Sequence, residues 1–437
     1  MDLLELAQKA KKSAVLLSAV SSEQKNAALA AIAKAIKQNS NRIIEANQRD
    51  LDKAKTENLA GPLLKRLKFD SAKIAETCSG IESLIGLSDP VGQTITATEL
   101  DKGLELYKVS CPIGVIGVIF ESRPDALVQI STLCLKSGNA ALLKGGTEAA
   151  NTNKALFEII NEASVGSGIP AGWLGLLQTR DDVNAMLKLD DCIDLIIPRG
   201  SNEFVKYIMN NTNIAVLGHA DGICHVYVDA KADADMAVKI TVDSKTQYCA
   251  VCNAAETLLV HKDIAAKFLP AVKIALEVKG VELRGCEKTR KFIDIKPASD
   301  ADWKTEYLDL ILSIKVVDSL DEAIEFINTY GSHHTDAIVT NDKNAAEKFL
   351  NLVDSADVFL NVSTRFADGF RFGLGAEVGI STNKIHARGP VGLEGLVIYK
   401  WKLLGTGQIV ANYCGANGKK FTHKNLKKVF GIQNEKF

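Results

Sequence analysis

The strongest constraint on what this chain can fold into is a set of short runs that are apolar at every position rather than at alternate ones. "GVIGVIF" (114–120) is the clearest, and "NAALLK", "LGLLQT", "IDLIIP" and "NIAVLG" follow it at spacings of roughly 20 to 35 residues. Helical stretches separate them, among them Asn153 to Ser164 and Asn202 to Met209. A strand with no polar face is buried on both sides, and strands that alternate with helices pair in parallel beneath helical cover. A second series runs "ICHVYVD", "TLLVH", "SIKVV", "TDAIVT" and "DVFLN". The chain therefore reads as α/β, with two parallel-sheet domains and a cleft between them. Its 437 residues exceed one ordinary core, which agrees with two domains.

The flanks read differently. Residues up to about 100 look helical; "SSEQKNAALAAIAKAI" opens on a capping box (Ser21, Gln24) and places Leu29, Ile32, Ala33 and Ile36 on one face. Beyond Gly389, "GLEGLVIYKWKLLGTGQIV" alternates as edge strands do, and the basic "GKKFTHKNLKKVF" reads as a solvated or subunit-facing helix. The longest apolar run, Ile113 to Phe120, is far too short for a bilayer, and the N-terminus lacks a signal-peptide layout. A net charge of −1 gives no global field for nucleic acid or an anionic membrane, and the basic tail lacks interleaved aromatics for base stacking. Nine scattered cysteines fit free thiols in a reducing cytoplasm better than a disulfide framework.

The chemistry turns on "SKTQYCAVCNAAETLLVH" (244–261), which holds Cys249 and Cys252 as C-x-x-C. A structural zinc site needs four ligands, but no second C-x-x-C exists and the adjacent His333 and His334 cannot supply an H-x3-5-H spacing. A thioredoxin-type pair would open a helix after the first strand of a small domain, whereas this one lies deep in the chain before a strand. One nucleophile, or two buried small hydrophobes, remain. The loop setting of Cys252, with Asn253 behind it, favours a thiol open to substrate and to backbone donors.

Other stretches stay ambiguous alone. No G-x-G-x-x-G follows a strand; "IIPRGSNEF" offers Gly200 and Ser201 at a strand-to-helix turn, which suits a phosphate or an ordinary N-cap equally. Lys144 ends a strand, where it can reach a ligand or simply sit on the surface. "STRFADGFRFG" places Arg365 and Arg371 in a loop suited to carboxylates.

Taken together, "PIGVIGVIFESRPDAL", "LKSGNAALLKGGTEA", "IDLIIPRGSNEFV", "KTQYCAVCNAAETLLVH", "NVSTRFADGFRFGLGAEVGISTNKIHARGPVGLEGL" and "YKWKLLGTGQIV" resemble the γ-glutamyl phosphate reductases, within the aldehyde dehydrogenase superfamily. The resemblance runs from about residue 5 to 415 and is to the monofunctional form, which implies no fused amino-acid kinase domain. It implies a nucleotide-binding domain (1–102 and 112–230), a catalytic domain (231–388) and a small β oligomerisation element with the tail (103–111 and 389–437). It also implies a homo-oligomer, NADPH as cofactor, no metal, and L-glutamyl 5-phosphate as substrate, with channelling from glutamate 5-kinase.

Residue by residue, the family's nucleophile is the Cys of "CNA", here Cys252, and Cys249 becomes incidental. Arg123 matches the superfamily's oxyanion-binding Asn, and Asp125 stands where the family has Asn. Lys144, Gly200, Ser201 and Glu306 match cofactor-binding positions; Ser363, Thr364 and Arg365 match the loop that holds the substrate's amino-acid head. His219 stands where hydrolytic aldehyde dehydrogenases carry a water-activating Glu. That substitution implies release of the acyl group by phosphate rather than water. A hydrolytic dehydrogenase and a silent α/β binding protein are the rival readings.

Overall fold

All but one of the apolar runs form the strands they foreshadow. In the computed structural model, which describes residues 2–431 except 60, 122, 180 and 220 and the side chain of residue 62, the strands in chain order begin with β1 (Thr94–Asp101), β2 (Leu104–Pro112), β3 (Val115–Phe120), β4 (Ala140–Lys144), β5 (Leu174–Leu177) and β6 (Leu195–Arg199). They continue with β7 (Cys224–Val228), β8 (Ala255–His261), β9 (Glu282–Gly285), β10 (Lys296–Pro297), β11 (Ile311–Val317), β12 (Thr335–Val339) and β13 (Asp357–Leu360). Two short strands, β14 (Gly379–Ser381) and β15 (Gly389–Val391), pair as a separate ribbon, and β16 (Val397–Leu404) and β17 (Lys424–Asn425) close the list.

The chain divides into two compact units. The first comprises Met1–Gly200, Tyr207–Val216 and Gly392–Phe437; the second comprises Ser201–Lys206 and Leu217–Val391. Residues 217–230 thus go with the second unit, ahead of the boundary expected at 231, because β7 pairs there with β8 and β12. Segments 103–111 and 392 onward belong to the first unit, where β2 pairs antiparallel with β16.

The first unit holds a parallel sheet in the order β5-β4-β3-β6 and an antiparallel sheet in the order β16-β2-β1-β17. The helical reading of the first 100 residues holds as far as the helix Ser71–Gly86, with Ser21 accepting from Gln24 N as its capping box requires. It fails at β1, a mostly polar strand with no apolar run to announce it. "NIAVLG" contributes a single bridge, Val216 to Ile196, rather than a strand. The basic tail is not a helix either. Leu426 and Phe430 pack against Ala97, Tyr107 and Val109, and β17 pairs with β1, so an extended course buries more apolar surface than a helix with no apolar stripe would.

In the second unit, seven strands run in the order β10-β9-β11-β8-β7-β12-β13, with every pair parallel. Successive side chains point to opposite faces. On one face Val226, Val228, Leu258 and Val260 meet Phe268, Leu269 and Val272 of the helix Lys262–Glu277. On the other, Tyr227, Leu259 and Ile338 meet Phe326, Ile327 and Phe349. Burial on both faces explains why these strands show no alternation of apolar and polar residues, the few polar side chains among them, such as His225, Glu256 and Asp336, being buried too; each large apolar side chain contributes about 1.5–3 kcal/mol. No helix of the described residues is long and apolar enough to cross a membrane.

One buried carboxylate ties two helices of the first unit together. Asp50, on the helix Ser40–Thr56, accepts from Asn151 N (3.1 Å), Thr152 N (2.8 Å), Asn151 Nδ2 (2.8 Å) and Thr152 Oγ1 (2.6 Å). It thereby caps the N-terminus of the helix Ala150–Gly166, where orphan N–H groups and the helix dipole favour an anion. Asp50→Ala removes a charged acceptor and strands buried donors. We expect it to lower unfolding free energy by about 3 kcal/mol in a denaturant titration, with Asp50→Asn losing less. A loss below about 1 kcal/mol would mean that Asp50 does not hold this helix.

Candidate active site

Three adjacent parallel strands of the second unit, β8, β7 and β12, each begin shortly after a side chain that can bind or transfer a proton. Cys252 precedes β8, His219 precedes β7 and His334 immediately precedes β12. Sheet pairing brings together three residues far apart in the chain: a ring nitrogen of each histidine and the Cys252 sulfur all lie within 4.8 Å of one another. The cluster sits at the amino ends of these strands, opposite to the carboxyl ends where open α/β sheets usually place ligands.

Backbone packing fixes the thiol's loop. A Cβ on Gly222 would stand 2.1 Å from the Cys252 carbonyl oxygen and 2.4 Å from its Cα, so only glycine permits this approach. The Cys224 thiol donates to the same carbonyl at 3.2 Å. Asn253 Nδ2 donates to Ala367 O at 2.7 Å and ties the thiol loop to the arginine loop. Cys249 is no member of this cluster.

A directed hydrogen-bond chain sets the histidine tautomer. Thr335 and Asp357 are register partners on β12 and β13, and Thr335 Oγ1 donates to Asp357 Oδ2 at 3.3 Å. With that proton committed, Thr335 Oγ1 accepts from His334 Nδ1 at 2.8 Å, and His334 Nε2 is left unprotonated, 3.1 Å from Cys252 Sγ. His334 is fully buried, and desolvation, followed by the neighbouring His219, holds its pKa well below the ordinary value. Burial also pushes the Cys252 thiol up to about 12, with Glu306 and Glu377 adding to the rise and Arg365 opposing it. The resting pair is therefore thiol and neutral imidazole, poised for the proton to move from sulfur to nitrogen. Burial likewise raises Asp357, to about 6, so near neutral pH it remains an acceptor. His219 Nδ1 lies 3.2 Å from the Ile380 carbonyl, and the two imidazoles meet edge to face at 5.0 Å.

Charged groups frame the thiol. Arg365 is buried in a short turn, Thr364–Phe366, with Nε donating to Gln247 Oε1 at 3.0 Å; burial lowers its pKa. Ser244 Oγ accepts from Thr364 N at 3.2 Å and donates to Ser363 Oγ at 3.1 Å, while Thr364 Oγ1 is buried without a partner. Glu306 accepts from Asn202 Nδ2 at 2.6 Å, and burial raises its pKa. Lys245 and Glu256, both fully buried, form an ion pair at 2.5 Å on the two segments that flank the thiol loop. Burial still leaves the Glu256 carboxyl raised to about 7.

The second unit thus holds Cys252, Ser201, Glu306, Ser363, Thr364 and Arg365, and the first unit holds Lys144, Arg123 and Gly200. Lys144 ends β4, nearly buried, with Nζ donating to Gly145 O at 2.5 Å. Beyond it opens a cavity of about 370 Å³ lined by Gly145, Gly146, Asn151, Asn153 and Gln178. A Cβ on Gly145 would stand 2.2 Å from Asn153 Nδ2, and Asn153 Oδ1 is buried without a partner. Exposed Arg123 N-caps the helix Pro124–Lys136 through its backbone, and Asp125 in the next turn pairs with Lys73 at 3.3 Å. Sequence reasoning missed His334, Thr335, Asp357, Gly222 and the Lys245–Glu256 pair. A histidine directly before an apolar run ("HHTDAIV") was the one visible signal.

Comparison with known proteins agrees with this architecture. A family model described as aldehyde dehydrogenase family matches residues 1–282. A γ-glutamyl phosphate reductase of Acetivibrio thermocellus is 62% identical over 99% of this chain and 100% of its own length. The crystal structure of the γ-glutamyl phosphate reductase of Thermotoga maritima superposes with a TM-score of 0.91 at 43% identity, covering 94% of this chain and all of that one. At 17% identity and a TM-score of 0.62, a glyceraldehyde-3-phosphate dehydrogenase of Methanocaldococcus jannaschii, complexed with NADP, shares the fold over 92% of this chain.

The packing of Gly222 on Cys252 yields a direct test. Gly222→Ala drives a methyl group into the Cys252 backbone, and such overpacking typically costs about 1–3 kcal/mol. We expect a measurable drop in melting temperature together with slower alkylation of Cys252 by a bulky maleimide. Unchanged stability and unchanged thiol accessibility would show that this contact does not position the sulfur.

Proposed function

Because the chain belongs to the γ-glutamyl phosphate reductases of the aldehyde dehydrogenase family, we propose that it reduces L-glutamyl 5-phosphate to L-glutamate 5-semialdehyde and phosphate through a thioester on Cys252, using NADPH, as the second step of proline biosynthesis. The observation that carries the reading is the Cys252 sulfur 3.1 Å from an unprotonated His334 nitrogen, in a chain 62% identical to a named γ-glutamyl phosphate reductase.

The chemistry follows from the groups present. As Cys252 sulfur attacks the acyl carbon, its proton passes to His334 Nε2, the carbon–oxygen bond to phosphate breaks, and phosphate leaves. Proton transfer removes the cost of creating a lone thiolate in a desolvated site, since the pair becomes thiolate and imidazolium side by side. Thr335 and Asp357 stabilise the imidazolium from its other face. NADPH, when bound, supplies the hydride that reduces the acyl carbon. The resulting oxyanion is stabilised by the Cys252 backbone N–H and by Arg123, which also offers charge to the substrate phosphate. Collapse of the tetrahedral carbon breaks the carbon–sulfur bond, and His334 returns the proton to sulfur.

The first unit's cavity fits a nucleotide. Lys144 suits a ribose or a 2′-phosphate, the Gly145–Gly146 backbone permits close approach, and the unpartnered Asn153 Oδ1 can accept a ribose hydroxyl. Gly200 and Ser201, at the turn into the helix Asn202–Asn210, take the pyrophosphate, and Glu306 takes the nicotinamide ribose. Arg365, with Ser363 and Thr364, takes the glutamyl head. Nine unpaired thiols fit the cytoplasm. The β16 edge, exposing Tyr399 and Trp401, fits a subunit contact of a homo-oligomer, and delivery of the labile acyl phosphate from glutamate 5-kinase fits the same role.

Two substitutions separate this reading from its rivals. Cys252→Ser should cut kcat by about three orders of magnitude or more, while Cys249→Ala keeps most turnover. A folded but inactive Cys249→Ala enzyme would return the C-x-x-C pair to the mechanism. Arg365→Ala should raise KM for the glutamyl substrate by about tenfold to a hundredfold, as loss of a charge-assisted hydrogen bond does, and leave KM for NADPH nearly unchanged. Equal effects on both constants would reject the head-group assignment.

A further inference from the structure

We propose that His219, Cys252 and His334 form a site for a borderline-soft divalent cation of the zinc type, and that an ion held there silences the enzyme. The binding stands on geometry alone, whereas the silencing rests on the reading of Cys252 as nucleophile. Two imidazoles and a thiol are the donor set that selects zinc over magnesium or calcium. The three ligand atoms lie within 4.8 Å of one another, with the His334 Nε2 to Cys252 Sγ leg at 3.1 Å. In a tetrahedral site with bonds of about 2.0 Å to nitrogen and 2.3 Å to sulfur, ligand atoms stand roughly 3.3–3.6 Å apart, so side-chain adjustment within an ångström or so closes the triad.

The surroundings are those of a ligand set rather than of loose side chains. Metal-binding histidines characteristically give their other ring N–H to a carbonyl, hydroxyl or carboxylate, which fixes the tautomer. His219 Nδ1 faces the Ile380 carbonyl, and His334 Nδ1 faces Thr335 Oγ1, itself bonded to Asp357. The His334 ring therefore carries its lone pair on Nε2, toward the sulfur. All three ligands sit at the amino ends of the adjacent strands β8, β7 and β12, so the sheet holds their spacing. Three protein ligands leave a fourth position for water or a phosphate oxygen. Binding replaces the thiol proton, which goes to solvent, and occupies both the sulfur that attacks and the nitrogen that takes its proton. Cys249 is not a ligand, so the site is distinct from the C-x-x-C pair that the sequence presents.

The test uses the full chain, stripped of metal, titrated with Zn²⁺ by equilibrium dialysis and with Cd²⁺ by ultraviolet absorption. We expect one ion per chain, a cadmium–thiolate charge-transfer band, and loss of turnover with the same midpoint as binding, reversed by EDTA. Cys252→Ser should abolish the band, and His219→Asn, at a partly exposed position, should weaken binding by about tenfold or more. Cys249→Ala should leave both unchanged. Absence of stoichiometric binding, a band that survives Cys252→Ser, or affinity indifferent to His219→Asn would overturn the site. Stoichiometric binding that obeys these substitutions but leaves turnover intact would uphold the site and overturn Cys252 as nucleophile.

Discussion

A thiol and an imidazole share one desolvated position, 3.1 Å apart, and neither carries charge cheaply there. Burial raises the thiol to about 12 and lowers the imidazole well below its usual value, so each group alone is inert near neutral pH. Together they form a proton-transfer pair whose charged state is compensated the moment it appears. This mutual constraint explains a sulfur that keeps its proton at rest. It also explains a line of partners, Thr335 and Asp357, that runs away from the sulfur.

The sheet supplies that line. Register between β12 and β13 puts Thr335 beside Asp357, and the order β8-β7-β12 puts the thiol loop, the His219 loop and His334 next to one another. The cores on both faces of the sheet lock the strands against slippage, since a shift of one residue would turn every buried side chain to the wrong face. Gly222 then lets the loop before β7 press against the backbone of Cys252. Precision at the sulfur is thus inherited from strand register rather than from the loop itself.

Much of this was legible in the sequence. The all-apolar runs announced the buried parallel strands, because burial on two faces leaves no polar periodicity, and "CNA" pointed to Cys252. What stayed hidden had little or no local signature. β1 is half exposed, so "TITATELD" carries no apolar run, only alternating β-branched residues that were passed over. His334 lies 82 residues from the sulfur it faces, and only the non-sequential strand order joins them. Its neighbour His333, in a left-handed conformation, turns instead to the Asp354 carbonyl. The buried Lys245–Glu256 pair is equally silent, since charged residues in sequence read as solvated until a fold buries them.

On the proposed mechanism, an acyl group on Cys252 exchanges with phosphate and not with water. The direct measurement is oxidation of glutamate 5-semialdehyde by the full chain with NADP⁺, following NADPH formation with phosphate, with arsenate and with neither. Steady turnover is expected with phosphate or arsenate, and without them at most a single burst as the thioester forms. Equal steady-state rates in all three conditions, with free glutamate as the product, would contradict that mechanism and make the chain a hydrolytic dehydrogenase.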